Sequence, residues 1–347
     1  MKRHILRHLV DPDTLGPLTV RATADTAGDV VEGELVGADA AARYPIHEGI
    51  PSFVSKDVEA DQTVRSFGDK WDRHRYYREH TRRFYTDWYL TRFGFGSLED
   101  LSRFLSGKSF VLDAGTGAGR DAANFAEATS GSQTVVFGVD TAWHALSNAA
   151  AQPDRPRVEL VHADINRLPF PDELFDFINC DQVIHHTPDP RRTFESLRKK
   201  LKPGGEIATY VYRKKAVIRE YVDDYVRDRI KDEPFEKALE VCEAITKLGK
   251  AFSDLKATVT IPDDIPVLGI SKGTYDVQRF LHYNVLKCFW NDEFDFYTNN
   301  VVNADWYHPV HCFRYTPEEF REWFASGWEI VAWDAQEAGI SCRARKI

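Results

Sequence analysis

Three glycines alternate with small residues directly after a short apolar segment, in the sequence DAGTGAGR at residues 113–120. Glycine lets a backbone turn sharply and approach a ligand closely, and the helix expected next would present its positive N-terminus to that ligand. In the dinucleotide fingerprint the third glycine stands three residues after the second, but this chain has Arg120 there. Asp113 would repel a pyrophosphate, whereas it suits a ligand with an ammonium and a sulfonium group. The loop therefore favours a nucleotide-like ligand other than NAD.

Two further acids stand at the ends of neighbouring apolar segments. Asp140 closes the segment FGVD, where a carboxylate can accept hydrogen bonds from both hydroxyls of a ribose. Asp164 follows the next apolar segment, where it can accept from the amine of an adenine. Ligands of open α/β sheets bind beyond the carboxyl ends of the strands. We therefore expect Asp113, Asp140 and Asp164 to converge on one site.

The elements that must position these residues alternate between short apolar segments and helical stretches. The strand candidates are residues 110–112, 134–139, 158–161, 175–179 and 206–211. This alternation predicts a parallel sheet with helices on both faces. After Arg213 the alternation gives way to a long stretch with helical signals. Two final strands, residues 328–333 and 340–344, are too close together for a helix between them and must form an antiparallel hairpin.

Residues 108–212 resemble the core of class I S-adenosylmethionine-dependent methyltransferases. The matching features are the glycine loop, Asp140, Asp164, Phe175-Asp176 and the sequence LKPGG at residues 201–205. The resemblance implies an α/β fold with a Rossmann-like, seven-stranded, mostly parallel sheet and a terminal antiparallel hairpin. A small β-rich N-terminal module and a helical lid insertion complete the expected fold. The implied cofactor is S-adenosyl-L-methionine (SAM).

The resemblance also assigns the cofactor site. The implied cofactor-binding residues are Asp113, Gly115, Thr116, Gly117, Asp140, Thr141, Asp164, Ile165 and Asp181. The residues of the glycine loop would hold the methionine part, and Asp181 would line its end. Asp140 would hold the ribose, with Thr141 beside the ribose or the adenine. Asp164 and the amide of Ile165 would hold the adenine.

Composition and resemblance together divide the chain into four parts. These are a β-rich module at 1–58, a helical lid segment at 59–107, the methyltransferase core at 108–212 and 301–347, and a helical insertion at 213–300 that acts as a substrate lid. Aromatic side chains are expected to line the pocket below the helices, since aromatic faces favour a sulfonium or a flat acceptor. They are Trp71, Tyr76, Tyr77 and those of residues 306–309.

The N-terminal module resembles a small zinc ribbon of the kind that activates, or is fused to, certain methyltransferases. The resemblance rests on LVDPDT at residues 9–14, GELVGADA at 33–40 and YPIHEGIP at 44–51. The cysteines of that family would stand at the positions of Asp11, Thr14, Gly37 and Ala40, and all four are missing. Zinc needs thiolate or imidazole donors, so we expect a degenerate, metal-free module held together by apolar packing.

A pair of histidines follows the fourth strand, in the sequence CDQVIHHTP at residues 180–188. A histidine with a near-neutral pKa can accept a proton from a hydroxyl, an amine or a carbon acid. The pair resembles the doublet of many small-molecule methyltransferases, in which one histidine often faces the substrate. His186 is the first candidate for the catalytic residue and His185 is the second. The alternative is that both only cap or orient the following helix.

The composition restricts the class of protein. Of the 347 residues, 45 are Lys or Arg and 54 are Asp or Glu, and the resulting net charge of −9 argues against a general nucleic-acid binder. Five scattered cysteines favour reduced thiols over a disulfide scaffold. No apolar run approaches the length that spans a bilayer. We therefore expect a cytoplasmic enzyme without membrane contact. The sequence does not decide whether the chain forms a homo-oligomer.

These features together predict a SAM-dependent methyltransferase that acts on a small-molecule acceptor, with secondary metabolism as a candidate setting. We expect no metal. Two alternatives stay open, a methyltransferase that acts on tRNA or protein and a cofactor-binding pseudoenzyme that recruits a partner. The residue pattern does not distinguish an O, N, S or C acceptor atom.

Overall fold

The computed structural model describes residues 1–38, 41–73, 77–152 and 158–347, without the side chains of residues 77–80. Three of the positions named above are affected: Ala40 and Tyr76 lie outside the described residues, and so does the side chain of Tyr77. Within these ranges, no helix is both long enough and apolar enough to cross a membrane.

The N-terminal module is a small antiparallel sheet preceded by a short helix. Its elements are α1 (Arg3–Leu6), β1 (Leu18–Thr26), β2 (Asp29–Gly37), β3 (Arg43–His47) and β4 (Ile50–Pro51). The module covers one edge of the main sheet, because the amide of Phe53 donates to the carbonyl of His162 at 2.7 Å and Ser52 forms a parallel bridge with His162. Edge strands carry unpaired backbone groups, and the module satisfies some of them here.

Four helices lead from this module to the core. They are α2 (Lys56–Glu59), α3 (Gln62–Arg73), α4 (Tyr77–Arg92) and α5 (Leu98–Leu105). Helix α5 begins at an N-cap, where the Ser97 side chain accepts from the amide of Asp100. The helical content expected for this segment is therefore present.

The core then alternates strands and helices as expected. Its elements are β5 (Phe110–Ala114), α6 (Arg120–Ala128), β6 (Val135–Asp140), α7 (Trp143–Ala150), β7 (Val158–His162), β8 (Phe175–Cys180), α8 (Pro190–Lys200) and β9 (Leu201–Arg213). The strands are almost entirely buried because helices cover both faces of the sheet.

The insertion that follows is mainly helical. It contains α9 (Val217–Ile230), α10 (Phe235–Asp254), β10 (Thr258–Ile261), β11 (Gly273–Asp276), α11 (Val277–Asn284) and α12 (Phe296–Tyr307). Strands β10 and β11 form a separate two-stranded sheet that the sequence did not predict. Both are only four residues long and half exposed, so they lack the apolar run that reveals a strand.

The last elements complete the main sheet. They are β12 (Arg314–Tyr315), α13 (Pro317–Arg321), β13 (Trp328–Ala335) and β14 (Gly339–Lys346). The strand order is β13-β14-β9-β8-β5-β6-β7, and β14 is antiparallel to both of its neighbours. This order confirms the predicted fold class, with the short β12 added beside β9. Strand β5 lies between β6 and β8, and such a switch point opens a crevice at the carboxyl ends of the strands.

Candidate active site

A cavity of about 430 Å³ opens at the carboxyl ends of the parallel strands, and its volume is typical of small-molecule sites. Most of the predicted site residues line it, namely Gly115, Thr116, Gly117, Asp140, Thr141, Asp164, Ile165, Asp181 and His186. Two predicted residues, Asp113 and His185, do not line it. The structure thus brings together residues from the ends of four different strands.

The glycine loop has a backbone conformation that other residues rarely adopt. The angle φ is +79° at Gly115, +53° at Gly117 and +79° at Gly119. Space is restricted as well, because a side chain at Gly115 would collide with Val183 and one at Gly117 would meet the ring of Trp71. Both constraints favour glycine, and they leave the backbone of the loop open to a ligand.

Asp113 organises this loop from behind. Its Oδ2 accepts from the Thr116 hydroxyl at 2.7 Å and from the Ala122 amide at 3.1 Å, and its Oδ1 accepts from Asn179 at 2.8 Å. Burial, together with the nearby Asp121, raises the pKa of Asp113 to about 7. Asp113 does not line the cavity and both of its oxygens accept bonds from the protein, so a direct contact with the methionine part stays a prediction. Its contribution is the shape of the loop.

Two carboxylates face the side of the cavity expected for the adenosine. Asp140 accepts from the amides of Gly117 and Ala142, each at 2.8 Å, and burial raises its pKa. Asp164 accepts from the amide and the side chain of Asn166 at 2.8 and 3.0 Å. Hydrogen-bond donors stabilise a carboxylate whose charge is disfavoured by burial, and ribose hydroxyls are such donors. The residues present therefore fit an adenosine.

Two arginines hold the acids at the other end of the site. Both Nη atoms of Arg92 donate to the carboxylate of Asp181 at 2.9 Å, and this ion pair is almost completely buried. Arg120 forms a similar fork with Asp121 at 2.8 Å and lies 3.6 Å from Asp181. Sequence reasoning missed Arg92 as a partner, because it stands 89 positions before Asp181 and no local pattern marks it. Asp181 reaches the cavity as a fixed, paired group.

The two histidines of the predicted pair face different surroundings. The Nδ1 atom of His186 lies 2.6 Å from the carbonyl oxygen of His311, so Nδ1 carries the hydrogen and Nε2 is the acceptor. Burial lowers the pKa of His186 to about 4, and the ring is neutral near pH 7. His185 is fully buried, with its ring centroid 3.8 Å from that of Tyr212. This placement argues against a catalytic role for His185.

Aromatic and charged side chains form the remaining wall of the cavity. They include Phe67, Lys70 and Trp71 of α3, Tyr85 of α4, Tyr212 at the end of β9 and Asp305 of α12. The Nζ atom of Lys70 lies 2.5 Å from the carboxylate of Asp305, which links α3 to α12. Along the described chain, neither residues 213–300 nor residues 306–309 line the cavity. The insertion supports the wall from behind, and its role as a substrate lid stays a prediction.

The ribbon-like module uses Asp11 to hold its first turn. Oδ1 of Asp11 accepts from the amides of Asp13 and Thr14 at 3.0 and 2.9 Å, and Oδ2 accepts from the Tyr44 hydroxyl at 2.9 Å. A carboxylate thus fixes the turn at a position where a zinc ribbon has a cysteine. In the part of the chain that the structure describes, no group of three or more His, Cys, Asp or Glu side chains is arranged to hold a metal ion.

Comparison with known proteins places the similarity in the core. Residues 112–209 match the family described as "Methyltransferase domain". The uncharacterized protein MJ1123 of Methanocaldococcus jannaschii is 29% identical over 170 residues, which cover 48% of this chain and 76% of that protein. A demethylmenaquinone methyltransferase of Clavibacter sepedonicus is 34% identical over 97 residues, which cover 28% of this chain and 38% of that protein. The solved structure of a SAM-dependent methyltransferase from Aquifex aeolicus is 15% identical, with a TM-score of 0.39. The match covers 74% of this chain and 92% of that protein.

The matched segment contains the glycine loop, the acids at the ends of β6 and β8, and His186. The alignment spans less than two fifths of the length of the demethylmenaquinone methyltransferase, so the similarity concerns the domain and not a whole protein. With this segment at the centre of a sheet of the expected strand order, residues 112–209 form a methyltransferase domain, and this domain indicates a SAM-dependent methyltransferase with SAM as its cofactor.

Proposed function

We propose that the chain transfers a methyl group from SAM to a hydroxyl oxygen of a small molecule. The observation that carries this proposal is that the glycine loop, Asp140, Asp164 and His186 all line one cavity. SAM supplies a methyl group on a positively charged sulfur. The rings of Phe67, Trp71 and Tyr212 line the same cavity and suit both a sulfonium and a flat acceptor. A setting in secondary metabolism is part of the proposal.

The surroundings of His186 favour an oxygen acceptor over an amine. The Nε2 atom is the nitrogen left to accept a proton, and burial lowers the pKa of the ring to about 4. A methylated alkylamine is an ammonium with a pKa of about 10, so it does not give its proton to such a weak base. A hydroxyl becomes strongly acidic as its oxygen bonds to carbon, and even a weak base then accepts its proton.

The transfer forms one bond to the methyl carbon and breaks another. The bond between the acceptor oxygen and the methyl carbon forms while the bond between carbon and sulfur breaks, and the sulfur keeps that electron pair. The hydroxyl proton moves to Nε2 of His186, which the carbonyl of His311 holds in the correct tautomer. Phe67, Val183 and Tyr212 supply apolar surface to the cavity, and Asp181 is paired with Arg92.

A transfer assay with labelled SAM tests the proposal. The acceptors are 2-naphthol, 2-(aminomethyl)naphthalene and 2-naphthalenethiol, which share one flat ring system and differ in the group that reacts. We expect label on the naphthol and little on the amine. Label on the amine alone would contradict the oxygen acceptor, and label on RNA or protein without any small molecule would contradict the substrate class. Calorimetry with S-adenosylhomocysteine and NAD checks the cofactor separately, and only the former should bind.

A further inference from the structure

The orientation of His186 is set by a segment far away in the sequence. Its Nδ1 donates to the carbonyl of His311, which lies in the stretch of residues 308–313 between α12 and β12. The same stretch reaches the neighbouring residue as well, because the amide of Phe313 donates to the carbonyl of His185 at 2.9 Å. We call residues 308–313 the strap. The strap determines which nitrogen of His186 accepts a proton.

One side chain of α3 fastens the strap. The Nε2 atom of Gln62 donates to the carbonyls of His308 and Lys231 at 3.0 and 2.7 Å, and its Oε1 accepts from the amide of Val310 at 2.9 Å. The side-chain amide of Gln62 thus forms three hydrogen bonds, two with the strap and one with Lys231 after α9. Because the strap has no regular secondary structure of its own, these bonds replace those of a helix or strand.

Neighbours of Gln62 on the same helix strengthen this attachment. The hydroxyl of Thr63 accepts from the amide of His311 at 3.1 Å, and the Ser66 hydroxyl lies 2.7 Å from Nδ1 of His308. Asp61, at the start of the helix, lies 3.3 Å from Nε2 of His311. The first turn of α3 is therefore fitted to the strap over most of its length.

The next turns of α3 form part of the cavity wall, through Phe67, Lys70 and Trp71. One helix thus carries a wall of the cavity and also fixes the segment that orients His186. We infer that Gln62 is a positioning residue that couples the docking of α3 over the cavity to the tautomer and direction of His186. The link to turnover rests on the proposed function, whereas the effect on the tautomer does not.

The tautomer of His186 gives a direct test in the protein without ligands. In a sample labelled with ¹⁵N-histidine, we expect the wild type to show His186 with its hydrogen on Nδ1 alone. In Gln62→Ala the strap loses three bonds, and we expect signals of both tautomers. Turnover should fall by about 10²-fold, the effect of a misplacement of about 1 Å, while SAM affinity stays within twofold. An unchanged tautomer together with unchanged turnover would overturn the inference.

Two further variants keep the test decisive. Gln278→Ala is the matched control, because it removes an amide that donates to the carbonyl of Cys288 at 2.8 Å elsewhere in the insertion. It should leave the His186 signal and turnover unchanged. Gln62→Glu keeps the acceptor for Val310 but loses both donated bonds, and it should resemble Gln62→Ala even if the alanine variant folds poorly. Wild-type behaviour of Gln62→Glu would contradict the inference. If His186→Ala is fully active, the base assignment fails, but a tautomer change in Gln62→Ala still supports positioning.

Discussion

Two adjacent histidines have different environments because they lie in a single short turn. Residues 184–186 form a 3₁₀-helix, in which consecutive side chains point in directions about a third of a turn apart. His186 reaches the cavity, whereas His185 packs between Tyr210 and Tyr212. Neither histidine caps the next helix, because α8 has Asp189 as its N-cap. The sequence analysis ranked His186 before His185, and of the two only His186 lines the cavity.

Replacing His186 with Ala should lower turnover by roughly 10²–10⁴, the usual contribution of a general base. SAM affinity should change little, since the adenosine contacts are proposed for Asp140 and Asp164, which also line the cavity. Steady-state kinetics with the true acceptor, together with calorimetry, separates the two effects. His185→Ala is the control: it should lose stability and keep its activity per folded molecule. Full activity of His186→Ala would leave proximity and exclusion of water as the mechanism.

The buried histidine also predicts a pH dependence. Burial lowers the pKa of His186 to about 4; the carbonyl of His311 and Asp305 oppose this shift, and Arg227 and Lys70 add to it. The neutral ring is favoured in the folded state, so its stabilising effect is complete above the unfolded pKa of about 6.5 and is lost as pH falls towards 4. In molecules that stay folded, the ring is neutral down to about pH 4, so turnover per folded molecule should persist to about pH 4 to 5. An activity limb near pH 6.5 without unfolding would contradict this environment.

Asp140 offers a test of the cofactor side. Asp140→Ala should weaken the binding of S-adenosylhomocysteine by about 1.5–3 kcal/mol, the value of hydrogen bonds to a charged group. Calorimetry measures the change. Asp57→Ala is a suitable control, because Asp57 also lines the cavity but lies in α2, away from the strand ends. Equal losses in both variants would indicate that only the overall charge of the cavity matters.

At the scale of elements, the parts of the fold that follow from short-range patterns could be predicted. Strands β5 to β9 have apolar runs, and the terminal hairpin follows from the short gap between β13 and β14. The glycine loop and the acids at strand ends follow from the same logic, since the carboxyl ends of parallel strands meet at one edge. Contacts over long separations could not be predicted, and Arg92 with Asp181 is the clearest case. The short β12 and the cavity-lining Tyr212 also lack a local signal.

Removal of one partner from the ion pair between Arg92 of α4 and Asp181 after β8 should strongly destabilise the protein. Arg92→Ala leaves the buried carboxylate of Asp181 without its main partner, and such losses typically cost about 3–5 kcal/mol. Denaturant unfolding measures the change in the free energy of unfolding. Arg83→Ala on the same helix is the control, since its side chain is 97% exposed and its loss should cost less than about 1 kcal/mol. Similar losses for both variants would show that the buried pair has no special role.

At the scale of the whole molecule, the turn at Asp11 predicts how the N-terminal module is stabilised. Burial alone would raise the pKa of Asp11, but hydrogen bonds from Thr14, Tyr44 and Asp13 outweigh it and hold the pKa below its usual value. The charged form is favoured in the folded state, so this stabilisation is lost as pH falls below about 4. Asp11→Ala should lower the free energy of unfolding by about 1.5–3 kcal/mol.

The same turn should make the protein insensitive to chelators. Elemental analysis of the purified wild type should give no stoichiometric zinc, and a chelator should leave the melting temperature unchanged, because Asp11 supplies the bonds that a metal would supply. His4→Ala is the control for adventitious binding at the exposed N-terminal helix. One zinc ion per chain would refute the metal-free interpretation and would require other ligands.

The N-terminal module and the main sheet share one continuous hydrophobic cluster, in which Ile5 and Leu35 belong to the same set as Phe137 and Phe170. Because the two units share one core, we expect them to unfold together, with coincident denaturant transitions by fluorescence and circular dichroism. The fraction of folded active sites is then coupled to the contacts within the N-terminal sheet, although strands β1 to β4 do not line the cavity. Through this cooperativity the module acts on catalysis as a determinant of how many molecules are competent, and not of how fast each one turns over.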